Sequence, residues 1–176
     1  DIPLFRYDYT DLSIDQVAES TTSWKQLRGK YANFGYTRSA YWFKLSLQNP
    51  GTGNMDRLLE IDFPTLDHVE IYRPDKNGKY TVSATGDRRP FDSREVDDAN
   101  FLFRLDLAPG ITTVYLRIKS DGSLRFRAWL LTLKGKLEKK NLQQPLLWLI
   151  YGMMMLTVLF NLFVFALMRE RLYLYF

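Results

Sequence analysis

Residues 145–168, PLLWLIYGMMMLTVLFNLFVFALM, carry no charged side chain over 24 positions. A helix rises about 1.5 Å per residue, so roughly 20 residues cross a hydrocarbon core of about 30 Å. Thr157 and Asn161 are the only clearly polar members of the run. Trp148 and Tyr151 lie near one end, where aromatic rings favour a membrane interface. Pro145 suits a first helical turn, where its missing N–H costs nothing. A buried core helix is the alternative, but a run this long exceeds what a small domain hides. The expected element is one transmembrane helix over 145–168, preceded by a continuous helical linker over 136–144. Lys134, Lys136, Lys139 and Lys140 precede the span and Arg169 and Arg171 follow it. Those charges leave orientation open, because a long domain is exported largely regardless of them. Asn161 needs a partner helix, so further spans are expected after Phe176, with 169–176 as the cytoplasmic start of a multi-span region.

Ahead of the span the period changes to two. In YWFKLSLQ, Tyr41, Phe43, Leu45 and Leu47 share one face, and Trp42, Lys44, Ser46 and Gln48 the other. The same alternation places Leu59, Ile61 and Phe63 inward with Glu60 and Asp62 opposite. It groups Val69 with Ile71, and Tyr80 with Val82 and Ala84. It also places inward Phe101, Phe103, Leu105 and Leu107; Val114, Leu116 and Ile118; and Leu124, Phe126, Ala128 and Leu130. Turn residues separate these runs at Asn49-Pro50-Gly51, Pro74 to Gly78, Pro109-Gly110 and Asp121-Gly122. About seven strands at this rhythm predict a mainly β fold, an antiparallel β-sandwich of jelly-roll type over 41–135. Residues 1–40 read as an irregular segment packing on the sandwich. Within it, Ser13 to Gln16 matches a capping box and starts a short helix through Glu19, and a helical turn is expected from Trp24 to Arg28.

Composition excludes several chemistries. The chain has no cysteine, so disulfides, thiolate zinc sites and cysteine nucleophiles are out. A single histidine, His68, cannot assemble a typical zinc site. The net charge of +4 is mild and its arginines are scattered, which argues against nucleic acid as a partner. The chain begins at Asp1, consistent with a processed start after signal removal. No G-x-S-x-G, P-loop or G-x-G-x-x-G motif occurs. The chain is therefore expected not to be an enzyme and to need no cofactor.

Binding is the better expectation. Trp42, Tyr72, Tyr115 and Trp129 occupy positions that alternation turns outward, interleaved with Lys44, Arg117, Lys119, Arg125 and Arg127. Sugar rings stack their C–H faces on aromatic rings while polar neighbours take the hydroxyls. The competing reading is that this face packs on the N-terminal segment. Asp87 to Phe91 (DRRPF), with Arg88 and Arg89, is a loop able to hold an acidic ligand. Ser120 to Ser123 (SDGS) is a turn offering hydroxyls and a carboxylate. No metal site is expected, and Asp121 is the one residue there with any claim to calcium. The candidate ligand residues are thus Trp42, Lys44, Tyr72, Arg88, Arg89, Tyr115, Arg125, Arg127 and Trp129.

The order of motifs resembles a bacterial family, the seven-transmembrane receptors with diverse intracellular signalling modules. The residues that carry the resemblance are AYWFKL with Asn49-Pro50, LDHVEIY, GDRRPF, NFLF, YLR with SDGS, then Tyr151-Gly152, Asn161-Leu162-Phe163 and RERLYLY. The resemblance implies an extracytoplasmic jelly-roll domain of the second type before the first of seven helices. It implies a carbohydrate-binding-module-like sensor of glycans or small molecules in the periplasm, held at the inner membrane. It also implies output through a histidine kinase or diguanylate cyclase module beyond Phe176, as in two-component signalling. Two other classes compete. One is a protein–protein interaction module that forms a homodimer through the aromatic face. The other is a membrane-anchored glycan hydrolase, which needs two carboxylates roughly 5–10 Å apart.

Overall fold

The computed structural model describes residues 4–8, 12–19, 24–27, 29, 31–75 and 78–168. The strands are β1 (Leu4–Asp8), β2 (Lys25–Gln26), β3 (Ala32–Tyr36), β4 (Ala40–Asn49), β5 (Met55–Ile61), β6 (His68–Pro74), β7 (Tyr80–Thr85), β8 (Phe101–Leu107), β9 (Gly110–Lys119), β10 (Ser123–Phe126) and β11 (Ala128–Leu131). Helix α1 (Ile14–Glu19) lies between β1 and β2, and α2 (Leu133–Met168) follows β11. The expected cytoplasmic start at 169–176 lies outside the described residues.

Every strand pairing is antiparallel. A six-stranded sheet runs β2-β1-β4-β9-β6-β7, a three-stranded sheet β11-β5-β8, and β10 pairs with β3. Tyr41, Phe43 and Leu45 from β4, Val114, Leu116 and Ile118 from β9, and Val69 and Ile71 from β6 meet Leu59 and Ile61 from β5 and Phe101, Phe103, Leu105 and Leu107 from β8. Period-two alternation puts these side chains on facing surfaces, and burying them is the main term that holds the layers together. Full burial of each large aliphatic or aromatic side chain contributes about 1.5–3 kcal/mol.

Eleven strands occur among the described residues where about seven are expected, and four causes account for the difference. The described residues within 1–40 are not irregular: β1 and β2 extend the large sheet, and β3 pairs with β10. The helical turn expected from Trp24 to Arg28 is instead extended at Lys25–Gln26, because those two residues pair with Leu4 and Phe5. The fourth is a break at Arg127, where the chain leaves β3 as its partner and takes up β5. The break shifts the alternation, so Leu124 and Phe126 are buried while Ala128 and Leu130 are exposed. The capping box is present: Gln16 Oε1 accepts the Ser13 N–H at 3.0 Å, and Ser13 Oγ accepts the Gln16 N–H at 3.4 Å.

Polar groups close the edge of the smaller sheet. Among the described residues strand β8 has β5 on one side only, which leaves backbone donors and acceptors that must be covered or hydrated. At Arg104, Arg73 Nη1 donates to the carbonyl at 2.7 Å and Glu95 Oε2 accepts the N–H at 2.9 Å. Arg73 and Glu95 also pair with each other at 2.6 Å. Burial pushes the Glu95 carboxyl up, but hydrogen bonds from Arg73, Ser83 and the Arg104 N–H, with the Arg73 charge, outweigh it and hold it below the usual value. Glu60, which alternation turns toward solvent, is fully buried; Asn100 Nδ2 donates to its Oε1 at 2.6 Å.

The chain divides into two compact units, Asp1–Thr132 and Leu133–Phe176. Within the second, α2 is one helix of 36 residues. The stretch Leu147–Leu167 is long and apolar enough to cross a membrane, and none of it is buried. Pro145 is not at a first turn but inside α2. The residues ahead of it already form regular helix, so its ring removes one i→i−4 hydrogen bond there.

Candidate functional site

The expected aromatic platform is not one surface. Trp42 on β4, Tyr115 on β9 and Tyr72 on β6 do share the outer face of the six-stranded sheet, with Tyr72 in register beside Tyr115. That face is covered. Val17 of α1 is fully buried against Trp42 and Tyr115, and Leu12, Ile14, Ala18, Trp24, Tyr72 and Tyr80 pack around them. Trp42 is 0% exposed and Tyr115 3%. Helix α1 turns its apolar residues onto a sheet face that is itself apolar, so the aromatics form a second small core. Burial, with Tyr80 close by, raises the Tyr115 hydroxyl to about 12. Lys44 sits in register with Tyr115 and is half-buried. Arg117 on the same face is paired with Glu70 at 3.5 Å. Trp42, Lys44, Tyr72 and Tyr115 therefore do not offer an open ligand surface.

Arg125 lines an open groove, and Arg127 stacks on Trp129 and on Tyr31 of that groove's wall, beside residues that alternation did not single out. Asp62 lies just past β5 and opposite the break at Arg127. Its Oδ1 accepts the Arg127 N–H at 2.7 Å and its Oδ2 accepts the Trp129 indole N–H at 3.1 Å. The Asp62 N–H in turn donates to the Arg127 carbonyl at 3.0 Å. This clamp holds the chain where it changes partner strand. The Arg127 guanidinium stacks 3.8 Å from the Tyr31 ring centre and 4.8 Å from Trp129. The Arg125 guanidinium lies 5.3 Å over Phe63. Tyr31, Asn33, Asp62, Phe63 and Arg125 line an open groove of about 370 Å³. A second hollow of about 660 Å³, lined by Phe5, Lys25, Gln26 and Leu27, shares Tyr31 and Asn33 with it. Tyr31 is 59% exposed. Flat apolar rings with amides and guanidinium groups around them can stack one face of a small ring and hydrogen-bond its edge. Asp62 carries a sequence signal, a carboxylate at the end of an apolar strand. Tyr31 and Asn33 carry none, because they reach the groove only through the pairing of β3 with β10.

The family model for the 7TMR-DISM extracellular 2 domain matches residues 4–132. The chain belongs to that family. The match covers both sheets and stops one residue before α2. Residues 4–132 are thus the extracellular sensor domain of a receptor, followed by a helix able to span the membrane. No curated protein matches the chain.

In this 7TMR-DISM domain, three of the motifs quoted above converge on Asp67. Its Oδ2 accepts the Asp121 N–H at 2.6 Å and the Ser120 hydroxyl at 3.4 Å. Arg88 lies between two carboxylates, with Nε 3.4 Å from Asp67 Oδ1 and Nη2 2.8 Å from Asp121 Oδ2. Gly86 passes so close to the start of β6 that a Cβ there would lie 2.0 Å from the Asp67 carbonyl oxygen, at a φ of +149°. LDHVEIY, GDRRPF and SDGS thus form a structural clasp joining three loops. Arg88 is committed to that clasp rather than to an acidic ligand. Arg89 is exposed, and its N–H closes a turn onto the Gly86 carbonyl. The Asp121 carboxylate is engaged by Arg88, and no cluster of three metal-ligating side chains occurs among the described residues. His68 opens β6 opposite Lys119 and is half-buried.

Proposed function

We propose that the domain is a periplasmic ligand sensor of a bacterial inner-membrane receptor and that its ligand, a carbohydrate or another small molecule, binds in the groove walled by Tyr31, Asn33, Phe63 and Arg125. The observation that carries this reading is an open, aromatic and polar groove on a domain of a receptor family. Binding biases the balance between two arrangements of the receptor. Thr132 alone separates the last residue of β11 from the first of α2, so strain at the Arg127 break has a short path along the chain. The output on this reading is a histidine kinase or diguanylate cyclase module after residue 176. On this reading the domain binds rather than reacts, and Asp62, Asp67 and Glu95, each held by internal donors, serve the fold rather than a hydrolytic pair.

An interaction module is the second reading, and one observation favours it. Among the described residues strand β7 ends the six-stranded sheet with β6 as its only neighbour, and Val82 on it is 55% exposed. Such an edge can pair with a second copy. A thermal-shift screen of sugars and small metabolites on the whole chain in detergent separates the two. A saturable shift that Tyr31→Ala abolishes supports the groove. No shift, with dimerisation that Val82→Lys disrupts, supports the edge.

A further inference from the structure

We infer that the groove selects ligands bearing a carboxylate over their neutral counterparts, an inference that rests on the groove being the sensor site. Its fixed charges set the preference. Arg125 lines the groove and is exposed, and Lys25 lines the adjoining hollow. Arg127 backs Tyr31, the ring common to both. Among the described lining residues Asp62 is the one carboxylate, and each of its oxygens already accepts a hydrogen bond, from the Arg127 N–H and the Trp129 indole. The exposed Arg125 guanidinium therefore shares the groove with one carboxylate whose lone pairs are partly committed. Among the described residues, neither Arg125 nor Arg127 forms an ion pair.

Arg127 holds the aromatic wall of the groove in place. Its Nε is buried and has no hydrogen-bond acceptor, one of two such side-chain atoms among the described residues. Buried donors are nearly always paired. The guanidinium is held in place by the rings of Tyr31 and Trp129 rather than by a counter-ion. Arg127 thereby fixes Tyr31 as one wall of the groove, and the exposed Arg125 is the planar cation that can offer a two-point hydrogen bond to a carboxylate. The rings of Tyr31 and Phe63 supply the apolar contact, so the fitting class is a small cyclic acid, such as an acidic sugar.

The test compares galacturonate with galactose, which differ only in a carboxylate against a hydroxymethyl group. Both are titrated by calorimetry into the full 176-residue chain in detergent micelles. Galacturonate is expected to bind at least tenfold more tightly, with affinity falling as NaCl is raised from 20 to 300 mM. Arg125→Gln is expected to remove that margin and Arg125→Lys to retain part of it, both with the melting temperature of the unliganded chain unchanged. Equal affinities for the two sugars would overturn the charge preference and leave the sensor reading standing. Failure of both sugars to bind would overturn the inference, and the wider screen then decides whether the sensor reading falls with it.

Discussion

Two aromatic groups on this domain share the same ingredients and differ in access. Trp42, Tyr72 and Tyr115 lie beneath α1 with the Arg117–Glu70 pair beside them. Tyr31, Phe63 and Trp129 interleave with Arg125 and Arg127 at an open groove. Strand alternation turns Trp42, Tyr72, Tyr115 and Trp129 outward alike and does not tell the covered ones from the one beside the groove. What separates them is one short amphipathic helix, whose Val17 fills the space a ligand would need over Trp42. An outward aromatic on a strand is therefore a binding surface only where no later element covers it, and cover is a property of the whole chain.

Substitutions can break this contrast. Trp42→Ala is expected to have the largest effect, about 3–5 kcal/mol of lost stability. Chemical denaturation would measure it, and a loss below 1 kcal/mol would mean that α1 does not seal the face. Close behind is Gly86→Ala in the Asp67 clasp, a polar counterpart to the sealed aromatic cluster. A Cβ 2.0 Å from a carbonyl oxygen forces the loops apart, at about 3 kcal/mol by analogy with overpacked cores. Retention of the wild-type melting temperature would show that the loops accommodate it.

Titration sharpens the comparison with smaller effects. A tyrosine in an unfolded chain ionises near pH 10, whereas Tyr115 does so at about 12 in the fold. The unfolded state thus loses its proton first, and stability should decline from about pH 10 to about pH 12. Tyr115→Phe should flatten that slope, and an unchanged slope would show that Tyr115 is not sealed. At the acid end the relevant group is Glu95, held below its usual value. Its contribution is complete above the unfolded glutamate value of about 4.3 and fades as pH falls through the lower folded value. Glu95→Gln should therefore cost stability at pH 7 and reduce the acid sensitivity. The smallest structural effect is expected at the groove: Tyr31→Ala should change stability by less than about 0.5 kcal/mol while abolishing any ligand-induced shift.

Much of the fold is legible in the sequence. Alternation identifies the core residues of β4, β5, β6, β8 and β9, because a strand with one buried face must repeat every two residues. Ser13 and Gln16 announce the start of α1 by their own hydrogen-bonding chemistry. The phase of β11 was not legible, since the switch of partner at Arg127 depends on where β3 and β5 lie. The buried Glu60 was hidden for the same reason, as its partner Asn100 is distant in sequence. Of the residues singled out for binding, Arg125 lines the groove, and Arg127 and Trp129 support it. Trp42 and Tyr115 lie in a core, and Arg88 belongs to the clasp.

By itself the sequence determined what short-range physics can decide: which residues alternate, where turns fall, and that one helix has the length and apolarity to cross a bilayer. Tertiary structure decided which outward faces remain open, where Arg127 breaks a strand, and that Pro145 sits within a helix rather than at its start. The reason is range. Periodicity and capping act between residues a few positions apart, whereas the cover of Trp42 by Val17 and the meeting of Tyr31 with Arg127 are contacts between distant segments, fixed only when the layers pack.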